Sequence, residues 1–185
     1  VTNASFGVSG GSDTHTYAMS LNYYDSDSFY DVGGWERITA RIANDFKFSD
    51  KVSAGITLNP RFETWGSPSN WADFDKIDPI TPIYKPADQL DGTENEYSIY
   101  ARSPSYVWNP IASVKRYDDY TDLYNLNTNA YFQYTPIKGL VIRTQGSLEI
   151  GDKIWSKFTP DFVIDAAHEK AEINTIQRTN TTNND

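Results

Sequence analysis

From Leu140 to Ile150 the chain alternates residue by residue between apolar and polar side chains. Leu140, Ile142, Leu148 and Ile150 fall on one parity, and Arg143, Gln145, Ser147 and Glu149 on the other. A period of two is the mark of a β-strand with one apolar and one polar face. The same pattern predicts five more strands. In Ala4–Gly11, Phe6 and Val8 share a parity. In His15–Tyr24, Tyr17, Met19, Leu21 and Tyr23 oppose Ala18, Ser20 and Asn22. In Trp35–Phe48, Ile38, Ala40, Ile42, Phe46 and Phe48 oppose Arg37, Thr39, Arg41, Asp45 and Lys47. In Lys51–Glu63, Val52, Ala54, Ile56 and Leu58 oppose Ser53, Gly55, Thr57 and Asn59. In Tyr120–Tyr134, Tyr124, Leu126, Ala130, Phe132 and Tyr134 oppose Asn125, Asn127, Asn129 and Gln133. The sixth strand runs Leu140–Trp155.

The connections alternate in length. Ser12–Thr14, Ser49–Asp50 and Thr135–Gly139 are short, whereas Asp25–Gly34 is longer and Trp65–Asp119 is very long. The pattern predicts an all-β, antiparallel up-and-down meander. Its polar face is too charged to be a second core, so the apolar face is expected to meet lipid and the polar face a lumen, as in a membrane barrel. Aromatic residues sit near both ends of the strands: Tyr17, Phe46, Phe48 and Tyr134 by the short turns, and Tyr23, Tyr24, Trp35, Trp65 and Tyr120 by the long loops. Two such bands are expected to be interfacial girdles. Everything after Trp155 is read as irregular, with a polar tail from Ala166 to Asp185.

Composition sharpens this picture. Aromatics make up 15% of the 185 residues, which suits side chains that are dry at one end and wet at the other. No run approaches the ~18 apolar residues of a transmembrane helix, which leaves a barrel as open as before. A net charge of -9 opposes tight binding to nucleic acid, whose phosphates need clustered cations. The absence of cysteine removes disulfides and thiolate chemistry.

Candidate chemistry is sparse. Asp73, Asp75 and Asp78 cluster in the long loop, but without the glycine and terminal glutamate of a calcium loop; a solvated acidic loop is the expectation, with no metal site. Glu36, Glu63 and Glu149 form no pair flanking a scissile bond, so no catalytic residues are assigned. Trp65, Trp71, Tyr97, Tyr100, Tyr106 and Trp108 lie in or beside the long loop, where flat rings either stack on substrate or pack the loop into a small core of its own. Arg37, Arg41, Asn127, Asn129, Arg143 and Glu149 share the polar parity of their strands and are expected to face the lumen or whatever fills it.

Several of these segments carry a family likeness. Ser5-Phe6-Gly7-Val8-Ser9-Gly10-Gly11 followed by Thr16-Tyr17-Ala18-Met19-Ser20-Leu21-Asn22-Tyr23 resembles the early barrel of SusC/RagA-like TonB-dependent transporters. Arg37–Ile42, Val52–Asn59, Pro82-Ile83-Tyr84, Asn109-Pro110-Ile111 and Asn129–Tyr134 with Ile137–Thr144 continue the resemblance in order. It implies a segment of a closed barrel of about 22 strands around a plug, with no cofactor and no enzymatic activity. It also implies outer-membrane import of an oligosaccharide or a peptide, a SusD-like surface lipoprotein over the external face, TonB at the periplasmic face, and lipid or lipopolysaccharide around the wall. No plug, TonB box or closing strand is recognisable, so the chain is expected to be an internal slice of a longer polypeptide. The TonB docking site is then expected in the missing N-terminal part. The main alternative is a soluble β-sandwich that binds carbohydrate, and a second is a passive porin-like channel. The sandwich would bury Ile38, Ile42, Ile56, Leu58, Phe132, Ile142 and Leu148 in a dry core, whereas a barrel wall leaves them uncovered.

Overall fold

The computed structural model describes residues 1–28, 33–66, 77–90, 92, 101, 109, 111, 118–159, 162–163, 169–170 and 173–184. In chain order the strands are β1 (Thr2–Gly11), β2 (His15–Asp27), β3 (Gly34–Ser49), β4 (Val52–Gly66), β5 (Asp118–Ile137), β6 (Leu140–Thr159), β7 (Phe162–Val163), β8 (Glu169–Lys170) and β9 (Ile173–Asn184). Seven of them form one sheet in the order β1-β2-β3-β4-β5-β6-β9, while β7 and β8 form a separate two-stranded ladder. Every pairing is antiparallel.

One expectation is corrected here. The polar tail expected to be irregular contains β9, which pairs along β6 from Leu148 opposite Asn184 to Thr159 opposite Ile173. Its apolar signal is almost nil, since Arg178, Asn180 and Thr182 share a parity with Ile176. Pairing with a long preceding strand supplies what hydrophobic alternation does not, helped by the β-propensity of Thr and Ile. An ion pair ties the two strands, with Arg178 Nε 2.9 Å from Asp152 Oδ1.

Register sorts the side chains. Directly opposed residues lie on one face, so pairs such as Phe6 with Leu21, Met19 with Ile42, Ile42 with Leu58, Ala54 with Phe132 and Tyr134 with Ile142 extend a single apolar face from β1 to β6. The apolar parities of all six alternating strands fall on it. A slip of one residue anywhere would put a polar row there instead.

This face is uncovered. Phe6 is 71% exposed, Leu21 49%, Ile142 55% and Phe132 46%, and Ala101 in the long loop is the one buried apolar side chain among the described residues. Ile42, Leu58 and Leu148 are half-buried, and Ile38 and Ile56 are exposed. A sandwich would have hidden all of these. The opposite face is the crowded one: Gly55, Glu63, Thr121 and Gly151 are buried and all lie on the polar side. Polar side chains that converge while apolar ones splay apart describe a sheet bent with its polar face inward.

The apolar face also has a height. On β3 it runs from Ile38 to Phe46, on β4 from Val52 to Phe62, and on β5 from Tyr124 to Tyr134. Roughly ten residues at ~3.3 Å each make about 33 Å of strand. A tilt of ~45° reduces that to about 23 Å, near the ~25 Å apolar band of an outer-membrane barrel. Carboxylates begin at its upper edge, where Asp152 lies opposite Tyr124, and continue one rung higher with Asp25 opposite Glu36.

The lower boundary is set by three tight turns. Ser12 N–H donates to His15 O at 2.7 Å. The β3–β4 turn brings Ser49 opposite Val52. The β5–β6 turn closes through Lys138 and Gly139, whose φ of 89° is one that glycine takes without strain. The turns are laced together by Lys47 N–H to Thr14 O and Thr135 N–H to Lys51 O, both 2.8 Å. Lys47 Nζ lies 2.7 Å from Asp50 Oδ1 and holds that carboxyl below the usual aspartate range.

The facing assignment predicts that Ile142→Arg lowers the stability of the lipid-embedded sheet by about 2–4 kcal/mol, while Asn127→Ala changes it by less than ~1 kcal/mol. Urea unfolding in bilayers, read by the gel mobility of the folded barrel, measures both. A harmless first variant with a damaging second one would reverse the two faces.

Candidate functional site

The polar face collects every strand residue that the sequence placed there. Arg37 and Arg41 on β3, Asn127 and Asn129 on β5, and Arg143 and Glu149 on β6 all lie on it, and so does Trp65 on β4. Trp71, Tyr97, Tyr100, Tyr106 and Trp108 lie outside the described residues, as do Asp73, Asp75 and His168. Asp78 accepts a hydrogen bond from Thr81 Oγ1 at 2.7 Å, closing a local turn. Among the described residues no group of acidic or histidine side chains could hold a metal.

Near mid-height the polar face carries a hollow of about 420 Å³ lined by Ser20, Asn22, Arg41, Asn59, Asn127 and Glu149, among others. Its amides are wired to one another. Asn125 Nδ2 donates to Glu149 Oε1 at 3.0 Å, Asn129 Nδ2 donates to Asn127 Oδ1 at 2.9 Å, and Asn59 Nδ2 donates to Asn127 O at 3.4 Å. Asn183 of β9 donates to the other oxygen of Glu149 at 3.4 Å. Both oxygens of Glu149 are therefore engaged. Arg41, by contrast, makes no hydrogen bond or ion pair among the described residues, so its cation is free for a partner.

Toward the turns, a strut crosses the same face. Tyr131 OH donates to Asp45 Oδ1 at 2.6 Å across β4, and the guanidinium of Arg143 stands 4.0 Å from the Tyr131 ring centre. The strand between them offers Gly55, where an added Cβ would collide with both the Tyr131 ring and Asp45. Glycine is needed here for close approach. The aromatic ring covers the gap that its missing side chain leaves, a device that also pins register.

Toward the long loops the polar face turns aromatic, which corrects part of the girdle expectation. Tyr23 and Tyr120 lie on the apolar face. Tyr24, Trp35 and Trp65 lie on the polar face, each on the parity of a charged or amide neighbour: Asn22, Arg37 and Glu63. The parity of the sequence carried that signal, because Trp35 stands two residues from Arg37 and Trp65 two from Glu63. On the apolar face the upper aromatic level is made instead by Tyr23, Phe62 and Tyr124, the last two with ring centres 5.0 Å apart. The lower level holds Tyr17, Phe46, Phe48 and Tyr134, with His15 stacked on Phe46 at 4.4 Å.

The polar-face aromatics are held by charge. Arg37 lies over both Trp35 (4.8 Å) and Tyr24 (5.5 Å), and Lys153 lies over Trp65 (5.5 Å). Trp155 Nε1 donates to Asp119 Oδ1 at 2.7 Å, and Lys157 Nζ is 3.6 Å from the other carboxylate oxygen. Trp155 ends the alternating pattern of its strand, and its parity with Lys153 is the one signal in the sequence that places it on this face.

The long loop has one described knot. Asn109 is buried, donating to Ile83 O at 2.9 Å and Ala101 O at 3.2 Å, while its Oδ1 accepts from Ile111 N–H at 3.0 Å. The two loop landmarks Pro82–Tyr84 and Asn109–Ile111 are thereby tied to each other by one amide.

Comparison with known proteins gives a consistent result. No family model matches the chain. A TonB-dependent receptor of Formosa agariphila is 26% identical over 159 residues, which cover 85% of this chain and 15% of that receptor. The RagAB peptide importer in its open-open state superposes with a TM-score of 0.61 at 17% identity, over 89% of this chain and 19% of the other. Its closed-closed state gives 0.59 at 16% identity, over 86% and 18%. The chain thus spans less than a fifth of each of these proteins. The structural likeness shows the fold, that of a barrel-wall segment. With the receptor similarity it supports the resemblance to SusC/RagA-like transporters and places the chain in the bacterial outer membrane. An uncovered apolar face and a crowded polar face are what such a wall segment turns toward lipid and toward a lumen, respectively.

The strut yields a test. Tyr131→Phe removes one hydrogen bond and is expected to cost about 1 kcal/mol. Gly55→Val forces the ring and carboxylate aside and is expected to cost more, about 1–3 kcal/mol. Denaturant midpoints of the folded barrel rank the two, and equal midpoints would show that Gly55 is not spatially required.

Proposed function

We propose that the chain is part of the wall of a TonB-dependent outer-membrane importer that takes up an oligosaccharide or a peptide and performs no catalysis. The observation that carries this reading is the separation of an uncovered apolar face from a hydrogen-bonded polar face. Such a wall needs a filled lumen, since Arg41 and Arg143 present guanidinium groups without a carboxylate partner among the described residues. In this reading they meet acidic groups of a plug contributed by the same polypeptide, and they keep the passage from behaving as an open porin.

The partners follow from the same reading. A SusD-like surface lipoprotein covers the external face, where the long loop and the aromatic end of the polar face lie. TonB engages a part of the polypeptide that this chain does not include, and pulls on the plug with energy from the inner membrane. Lipid and lipopolysaccharide surround the apolar face, and the carboxylates Asp25, Glu36 and Asp152 mark its outer boundary. The loop aromatics Trp65, Trp71, Tyr100, Tyr106 and Trp108 contribute to enclosing substrate.

Deleting the gene that carries this chain should abolish growth on the imported nutrient when it is the sole carbon source. Arg41→Glu and Arg143→Glu should each lower uptake at least ~10-fold, because reversed charges facing a fitted partner cost several kcal/mol, with normal amounts of folded barrel in the outer membrane. Unchanged uptake in both variants would remove the proposed lumen contacts. Uptake that persists when TonB is deleted would remove the active-import reading.

A further inference from the structure

One rung of the polar face is built mainly of indoles. Trp35 on β3 stands opposite Trp65 on β4, Trp65 opposite Thr121 on β5, and Thr121 opposite Trp155 on β6. Three of the five tryptophans therefore share a level. With strands ~4.8 Å apart, the row from Trp35 to Trp155 is about 14 Å long. Thr121 is only 4% exposed, buried between the indoles on either side. Along this row Trp35 is exposed, and Trp65 and Trp155 are half-buried.

The neighbouring rungs are charged. Below the indoles, Arg37 stands opposite Glu63, and Lys153 lies two strands further on. Above them, Asp119 stands opposite Lys157. Arg37 adds an independent sign: its Nε is shielded from water and has no hydrogen-bond acceptor among the described residues. A buried guanidinium N–H left in that state costs free energy until an acceptor reaches it.

We propose that Trp35, Trp65 and Trp155 form a stacking shelf at the loop end of the lumen that binds the pyranose rings of an oligosaccharide. A sugar ring carries C–H groups on its faces and hydroxyls around its rim. The shelf answers both, with three indoles on one rung and the cationic donors Arg37 and Lys153 on the rung beside it. Arg37 and Lys153 donate to hydroxyl oxygens, while the buried carboxylates of Glu63 and Asp119 stay with their own partners, Arg61 for the first and Trp155 and Lys157 for the second. A row longer than a single ring, lying across the strands, suits a short chain of sugars. An extended peptide would instead want separate pockets for alternate side chains. The inference rests on the import reading and selects between its two substrate classes.

The test uses cells making the complete transporter, grown on a panel of neutral and acidic polysaccharide hydrolysates and on a casein hydrolysate. The gene deletion is expected to abolish growth on a polysaccharide hydrolysate. The triple variant Trp35→Ala, Trp65→Ala, Trp155→Ala should raise the concentration needed for half-maximal growth at least ~10-fold, the equivalent of about 1.4 kcal/mol, with normal levels of folded barrel. The corresponding triple Phe variant should recover most of the loss, since it keeps flat rings. If the Ala triple fails to accumulate as folded barrel, Trp35→Ala alone, at an exposed position, carries the same expectation at a smaller size. Ala variants that grow like the wild type overturn the shelf and leave the import reading standing. A deletion that affects only the casein hydrolysate overturns the choice of sugar. A deletion without effect on any substrate overturns both.

Discussion

Everything in this sheet depends on a backbone ladder that must satisfy its own hydrogen bonds, because one side of it faces hydrocarbon. Lipid offers no donors or acceptors, so each strand has to be paired in full and in one register. The antiparallel ladders from β1 through β6 to β9 meet that demand with long, nearly uninterrupted pairings. Between β3 and β4 the pairing is interrupted near Pro60, which has no N–H to give, yet the register is the same on both sides, with Thr39 opposite Arg61 and Ile42 opposite Leu58. Apolar side chains flank that point, and a shallow groove lined by Ile38, Ala40, Phe62, Tyr124, Leu126 and Ile150 opens there on the lipid face.

Register is what turns this ladder into a machine part. Because the side-chain period is two, pairing one residue out of step would exchange the apolar and polar faces of a whole strand. Several devices hold it in place. The tight turns fix the lower ends and bond to one another. The Tyr131–Asp45 strut crosses β4 only because Gly55 leaves room. Glu149 collects amides from β5 and β9 at once. The strut and the Glu149 contacts are polar and sit on the polar face, so the side that carries the hydrogen bonds is also the side that specifies the fold.

The two faces use aromatic residues for different physical ends. On the lipid face, Tyr17, Phe46, Phe48 and Tyr134 at one level and Tyr23, Phe62 and Tyr124 at the other bracket an apolar band. On the polar face, Trp35, Trp65 and Trp155 gather above the charged rung of Arg37, Glu63 and Lys153, and cations lie over two of those indoles. Rings that look alike in composition are separated by parity alone.

The sequence by itself determined which residues share a face, because alternation is local and a strand has no other way to present it. The parities of β1 to β6, the short turns and the polar placement of Arg37, Arg41, Asn127, Asn129, Arg143 and Glu149 were legible for that reason. Tertiary structure decided what alternation does not encode. It made a strand of Ile173–Asn184, whose pattern is nearly all polar, because β6 offered it an edge to pair with. It set Trp35, Trp65 and Trp155 on one rung, although they are distant in sequence, because register between strands, and not order along them, fixes height on the wall. It also let Asn109 join Ile83, Ala101 and Ile111, since a buried amide finds its partners through the path of a loop that no periodicity describes.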